Sequence, residues 1–236
     1  MKINKDNILF LIRSYNEWDH LLETIDIIKK SWFFKILVVD DGSSDWTEEK
    51  IWTKKDIFYL RHSINRWAGA ALETWFEFVR RYYEKYNFNY VITFDPDWQH
   101  DIKDVSKFIE KFEKDNNLQV IIWSRFISWS SENMPFHRKI ILFLAKIFTL
   151  FVSQLVVSDP HNGYRMFKVS AVKKIYLTLD GFEYSSQLID KIASEKLKFA
   201  EVSVNIKYTD YSLSKWQKST NAINIALKMI WTKFFK

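Results

Sequence analysis

The sequence predicts an α/β protein: a mostly parallel central sheet with helices on both faces. Three observations predict it. Short apolar, β-branched runs alternate with helix-length segments through the first half of the chain, as crossover connections between parallel strands require. The runs are apolar throughout rather than alternating, which suits strands buried on both faces. Each run also ends in a polar cluster, at the carboxyl end where open parallel sheets gather their ligands.

Ile8 to Ile12 is the first such run, closed by Ser14-Tyr15-Asn16-Glu17 and followed by Leu21 to Lys30 with apolar residues at helical spacing. Ile36 to Val39 is the second, closed by Asp40-Asp41-Gly42-Ser43-Ser44-Asp45. Phe58 to Leu60 is the third, leading through His62 and Asn65 into a long helix from Ala68 to Tyr86. The fourth begins at Val91 and runs into Asp95-Pro96-Asp97, with Gln99 and His100 after it. Val120 to Ile122 is the fifth, before Ser124-Arg125-Phe126. The second half departs from this alternation. Ile140 to Val157 is apolar nearly all round, yet Lys146, Ser153 and Gln154 interrupt it and Arg138-Lys139 precede it. A membrane span needs about 20 predominantly apolar residues, so a helix lying in the membrane interface fits better; the competing reading is a core helix covering the sheet. A C-terminal helix from Ala222 to Lys236, carrying Lys228, Lys233 and Lys236, would lie on the same surface.

Composition narrows the class. The 236 residues carry a net charge of +6, which favours partners bearing phosphate. No basic run is interleaved with stacking aromatics, so a nucleic-acid partner is not expected. With no cysteine there is no disulfide and no thiolate chemistry, as suits a reducing cytoplasm. The apolar stretch near the amino terminus is short and broken by Arg13, unlike a signal peptide or span. Neither a Gly-x-x-x-x-Gly-Lys segment nor a Gly-x-Gly-x-x-Gly after the first strand is present, which excludes a P-loop NTPase and the dinucleotide fingerprint.

The polar clusters carry distinct chemistry. On an extended backbone Asp95 and Asp97 would point the same way. Two hard oxygen ligands there suit Mg²⁺ or Mn²⁺, which keep waters and accept further ligands from a diphosphate. Gln99 would add a third oxygen; the competing reading is a turn with solvated acids. Asp41 and Asp45 can accept hydrogen bonds from a base or ribose, or cap the next helix. Asn65 to Ala71 opens a helix whose small residues, Gly69 among them, admit phosphate or close packing. Arg125, Arg138 and Arg165 suit phosphate as bidentate donors, or structural ion pairs. The five histidines lack metal-ligand spacing, and His100 stands as a neighbour of the paired acids.

In order and spacing, Val38-Val39-Asp40-Asp41-Gly42-Ser43-Ser44-Asp45, Asn65 with Gly69-Ala70-Ala71, Phe94-Asp95-Pro96-Asp97 with Gln99-His100, and Ser124-Arg125-Phe126 resemble the inverting family 2 glycosyltransferases of the GT-A fold. Ser158-Asp159-Pro160-His161-Asn162-Gly163-Tyr164-Arg165-Met166-Phe167, Gly181-Phe182-Glu183-Tyr184 and Tyr211-Ser212-Leu213-Ser214-Lys215 with Gln217-Lys218 look like the branch of dolichyl-phosphate mannosyltransferase and bacterial polyprenyl-phosphate hexosyltransferases. The resemblance implies a nucleotide-sugar and metal-binding half, 1–131, fused to an acceptor-binding half, 132–236. Asp41 would hold the nucleotide above the Tyr15-Asn16-Glu17 loop, with Asp45, Asn65, Gly69 and Asp95 also on the donor. Asp95, Asp97 and Gln99 would bind the metal. Arg125, Arg138, Arg165, Lys215 and Lys218 would receive the acceptor phosphate, and Asp97, Arg125, Asp159 and Glu183 are the catalytic candidates. The chain has Arg13-Ser14 where the family carries Pro-Ala, which bears on the base contacts.

A metal-dependent hexosyltransferase is expected, acting on a polyprenyl or dolichyl phosphate from the cytoplasmic face as a peripheral protein. Many relatives continue into membrane spans, so a separate membrane-spanning partner is expected too. One alternative is a family 2 enzyme acting on a sugar hydroxyl of a cell-surface glycan, which needs a carboxylate base; another is a non-catalytic nucleotide-sugar-binding protein.

The tryptophans are anomalous. Glycine averages about 7% of residues, or roughly 17 in a chain of this length, yet there are 4 glycines and 11 tryptophans. Trp46, Trp67, Trp75, Trp98, Trp123 and Trp216 stand where the resembled family has glycine. Trp18, Trp32, Trp52, Trp129 and Trp231 have no such counterpart and are open to being genuine. A genome that reads UGA as glycine would account for the pattern.

Overall fold

A computed structural model describes residues 2–97, 100–127 and 136–203, the side chains of 136–142 and 145 excepted. The elements in chain order are β1 (Ile8–Ser14), α1 (Trp18–Lys30), β2 (Lys35–Asp40), α2 (Thr47–Ile51), β3 (Phe58–Arg61), α3 (Trp67–Tyr82), β4 (Tyr90–Thr93), α4 (Val105–Lys114), β5 (Val120–Ser124), α5 (Phe136–Ser153), β6 (Arg165–Lys168), α6 (Val169–Val172), α7 (Tyr184–Ser194) and β7 (Phe199–Ser203). All five strands read from the sequence are present.

The strands form one seven-stranded sheet in the order β3-β2-β1-β4-β6-β5-β7. β1 pairs in parallel with β2 and with β4, and β2 with β3. β6 is antiparallel to both its neighbours, β4 and β5. A strand from the second half of the chain therefore sits between two from the first.

Period-two alternation sorts the core onto the two faces. Leu9, Leu11, Leu37, Val39 and Val91 pack with Leu72, Phe76 and Val79 of α3 and Leu188 and Ile189 of α7. Ile8, Phe10, Ile12, Ile36, Val38 and Ile92 pack on the other side with Leu21, Ile25 and Ile28 of α1 and Phe108 and Phe112 of α4. The residues α1 buries recur every three or four positions, which is why that segment forms a helix.

Two boundaries differ from the sequence reading. The long helix ends at Tyr82, not Tyr86. β4 ends at Thr93, so Asp95 and Asp97 lie just beyond the strand rather than on it. Pro96 has no N–H to give a ladder, and the chain turns there.

The register brings the carboxyl ends of the parallel strands to one edge. Ser14 of β1 aligns with Asp40 of β2, Asp40 with Arg61 of β3, and Leu11 of β1 with Thr93 of β4. The polar loops all start from that edge.

Candidate active site

The first two loops are tied together by their own side chains. Asn16 adopts a left-handed backbone (φ 53°); its amide donates to Ser43 Oγ at 2.9 Å and its Oδ1 accepts the Ser44 amide at 2.8 Å. Tyr15 beside it is exposed and Glu17 is buried. Gly42 has φ 77°, and a Cβ there would stand 2.6 Å from the Ile64 carbonyl carbon. Only glycine lets this turn lie against the chain leading into α3.

That approach completes the surroundings of Asp41, which is fully buried. Its Oδ1 is bonded to His62 Nδ1 at 2.7 Å and accepts the Arg66 amide at 2.9 Å. Its Oδ2 is buried with no partner. A buried carboxylate oxygen costs free energy unless a donor reaches it, so a ligand N–H or O–H is the natural complement. The adjacent Asp40 is used up locally, accepting from the Ser43 amide at 2.8 Å and the Tyr59 hydroxyl at 2.8 Å.

Three other residues assigned to the donor, Asp45, Gly69 and Asn65, make local bonds. Asp45 Oδ1 accepts the Thr47 amide at 3.0 Å and the Thr47 hydroxyl at 2.5 Å, fixing the start of α2 as an N-terminal acid does. The Gly69 and Ala70 amides donate to the Asp180 carbonyl at 2.7 and 3.3 Å, so these two donors are already engaged. Gly69 is small because the 179–180 backbone lies against it. Asn65 Oδ1 accepts the Trp67 amide at 3.0 Å.

Beyond β4, Asp95 and Asp97 are half-buried. Thr93 Oγ1 donates to the Gly163 carbonyl at 2.5 Å and accepts the Arg165 amide at 3.0 Å. These bonds hold the segment before β6 against the end of β4. A Cβ on Gly163 would meet Asp95 Oδ2 at 2.9 Å, so glycine leaves that oxygen its room.

At the end of β5, Arg125 and Asp159 are both buried and form a two-pronged pair: Nε to Oδ2 at 2.6 Å and Nη2 to Oδ1 at 2.7 Å, with the Arg125 amide also on Oδ2 at 3.1 Å. Burial pushes the Asp159 carboxyl up, but the Arg125 guanidinium more than offsets this and holds it below the usual carboxylate range. Arg165 is fully buried, its Nη2 donating to the Pro160 carbonyl at 2.7 Å while its Nε has no partner. Burial draws its pKa down, opposed by Tyr184, Asp159 and Asp95 nearby. Glu183 is buried at the start of α7. Gln99, Lys215 and Lys218 lie outside the described residues, as does the C-terminal segment from Ala222; Arg138 is in α5, and its side chain is not described.

The profile of glycosyl transferase family 2 matches residues 10–176. The chain belongs to that family. It is 35% identical, over 99% of its length and 95% of the relative's, to an uncharacterized protein of Methanocaldococcus jannaschii. It is 25% identical, over 98% of both chains, to the UDP-N-acetylglucosamine--dolichyl-phosphate N-acetylglucosaminyltransferase of Methanococcus voltae. Among solved structures it is similar to glucosyl-3-phosphoglycerate synthase from Mycobacterium tuberculosis in complex with Mn²⁺, UDP and glucosyl-3-phosphoglycerate, with a TM-score of 0.68, 13% identity, and coverage of 96% of this chain and 79% of that one. The sheet and its helices are thus the GT-A fold of a family 2 glycosyltransferase.

For such a transferase the donor set fits a divalent ion. Asp95 and Asp97 supply hard oxygens beyond the strand end, and Gly163 keeps the Asp95 carboxylate uncrowded. Among the described residues no group of three His, Asp or Glu side chains could hold a metal by itself. An ion there would take its other ligands from water and diphosphate, as Mg²⁺ commonly does.

Sequence reasoning missed Thr93, His62 and Gly163 as positioning groups. A glycine kept in a chain with only 4 was the available signal for Gly163. His161 has a further consequence: its Nε2 is buried without a partner, and burial pushes the imidazole down to about 4. It is therefore neutral in the folded chain and takes a proton in the unfolded one below its usual pKa of about 6.5. Stability is full above that pH and falls as pH drops from about 6.5 toward about 4, by up to about 3 kcal/mol. Urea midpoints at pH 7 and pH 5 check this, with the difference expected to shrink in His161→Gln.

Proposed function

We propose that the protein is an inverting, metal-assisted glycosyltransferase that moves a hexose from a UDP- or GDP-linked donor to a polyprenyl or dolichyl phosphate. The observation that carries the reading is the buried, unpartnered Oδ2 of Asp41, at the same sheet edge as the Asp95 and Asp97 carboxylates. The first suits a donor group on the nucleotide, the second the diphosphate with its ion. Similarity along almost the whole chain to a transferase named for a dolichyl-phosphate acceptor supports the acceptor class.

The chemistry needs little from the protein at the acceptor. A phosphate monoester is anionic at neutral pH and can attack C1 in line once positioned, without a strong base; single displacement inverts the anomeric carbon. Mg²⁺ or Mn²⁺ on Asp95 and Asp97, with Gln99, would neutralise charge building on the leaving nucleoside diphosphate. Asp41 orients the nucleotide, and the Asn16, Ser43 and Ser44 bonds hold the loop beneath it. Asp159, buried against Arg125, is held ionised and fixes the guanidinium at the end of β5. Arg125, Arg165 and Glu183 line the acceptor side of this reading, with Arg138, Lys215 and Lys218 further cationic candidates. Nucleotide release tests it: UDP or GDP should appear when polyprenyl phosphate is added to the matching sugar nucleotide. Release driven only by sugar hydroxyl acceptors would favour the glycan-acting alternative.

Peripheral binding at the cytoplasmic membrane face belongs to the same reading. Thr149, Val152 and Ser153 of α5 are buried, while Phe143, Ile147, Leu150 and Phe151 are exposed on the opposite side of the helix. No helix among the described residues is long and apolar enough to cross a membrane. An exposed apolar stripe on a chain of net charge +6 suits an anionic lipid surface, where a membrane-spanning partner would also reside. The protein should float with anionic liposomes at low salt and less at high salt; protein left at the bottom of the gradient at low salt would remove the interfacial role.

A further inference from the structure

We propose that UGA, written in this sequence as tryptophan, is read as glycine in the cell that makes the protein, so that positions such as 32, 67, 75 and 123 are glycines of the working protein. The backbone at Trp32 carries the argument. α1 ends with the Trp32 amide donating to the Lys29 carbonyl at 3.0 Å and the Phe33 amide to the Ile28 carbonyl at 3.3 Å. This is the paired closure of a helix whose next residue is left-handed, the place where glycine is preferred because it has no Cβ to clash. Trp32 occupies it with φ 66° and is 71% exposed. Asn87 and Lys196 sit in the same kind of closure, with φ 54° and 51°, so a side chain is tolerated there. Asparagine is the usual substitute and an exposed lysine is solvated; an exposed indole has neither excuse.

Trp67 repeats the conflict at the first residue of α3, with φ 73° and an exposed ring. Trp46 and Trp52 are exposed as well. Trp75 and Trp123 are buried, and each leaves its indole N–H without an acceptor. The Trp123 ring centroid lies 3.8 Å from that of Tyr164 at 56° between planes, closer than the roughly 4.5–7 Å such pairs prefer. A tryptophan in a folded domain ordinarily buries its ring and gives its N–H a partner; none of these six does both. Trp18, at the start of α1, is half-buried with Lys50 Nζ 5.5 Å from its ring.

The six sites make opposite demands: exposed left-handed turns, helix ends, a helix interior and a buried strand. No single selection would place the bulkiest side chain at all of them. One reassigned codon, UGA read as glycine and rendered as tryptophan, does so at once, and it restores a glycine count near the ordinary one of about 17. Where the transferase reading holds, glycine at 67 would also open the donor site, since Trp67 follows Arg66, whose amide binds Asp41, and its ring adjoins Phe182 at 6.3 Å.

The direct test is peptide mass in the protein isolated from its own cells. Residues 32, 67 and 123 are expected at the mass of glycine, and tryptophan mass at those sites overturns the proposal. Recombinant chains give a second readout. Trp32→Gly and Trp67→Gly should each raise the melting temperature by about 2–4 °C, as release of left-handed strain predicts for a chain of this size. A fall in both variants would count against glycine there. Neither readout uses activity, so failure of the transferase reading would leave both intact.

Discussion

Asp97→Asn lowers sugar transfer by at least about 10²–10³-fold, the loss typical when one group stabilising developing charge is removed, while the unfolding midpoint stays where it was. Asparagine keeps the shape and one oxygen of the side chain but removes the charge that a hard divalent ion requires. Asp95→Asn should behave alike, because its carboxylate faces the room Gly163 leaves. Gly163→Ala gives a subtler version: a Cβ 2.9 Å from Asp95 Oδ2 must displace that oxygen, and excess Mn²⁺ should recover part of the loss. EDTA should stop the unmodified enzyme. Transfer that continues in EDTA would remove the metal from the account.

Asp159→Ala destabilises the chain by about 3–5 kcal/mol, the cost of leaving a buried charge without its partner. Arg125 is held there by three bonds from its amide and guanidinium to the buried Asp159 carboxylate. Arg125→Met combined with Asp159→Leu should recover most of that stability, since an apolar pair of similar volume loses the attraction but also the desolvation penalty. Urea titrations of the three chains give the answer. A loss of less than about 1 kcal/mol in Asp159→Ala, the range of exposed pairs, would mean that the pair is solvated and open to substrate. If the double variant is stable yet inactive, the Arg125–Asp159 pair serves transfer as well as the fold.

The legible part of the fold was the part with simple periodicity. β1, β2, β4 and β5 are buried on both faces and wrote themselves as continuous apolar runs. β6 did not, because a fully buried Arg165 opens it, and a charge in a short run reads as a loop. β7 is half-buried throughout, and Glu201 within it accepts from Ser158 at 2.8 Å; without a buried face it showed no pattern. The site divides likewise. The acids at the strand ends stood out by position and spacing. Their supports did not, because Thr93 reaches Gly163 across 70 positions and Asp41 reaches His62 across 21, separations that no local pattern encodes. The roles of Asp45 and Gly69 were open between ligand binding and local structure; the local partners, Thr47 and the Asp180 carbonyl, became visible only in the fold.

The most direct test of the transferase reading is the mass and linkage of the lipid product. Purified chain, both as written and with glycine at 32, 46, 67, 75, 98, 123 and 216, is incubated with Mn²⁺ or Mg²⁺, UDP- and GDP-sugars and a short polyprenyl phosphate. The account predicts a lipid one hexose heavier, joined through a phosphate to an inverted anomeric carbon and cleaved by mild acid, with one nucleotide strongly preferred. No glycolipid from either chain with any donor, or a product with the donor's anomeric configuration retained, would contradict it.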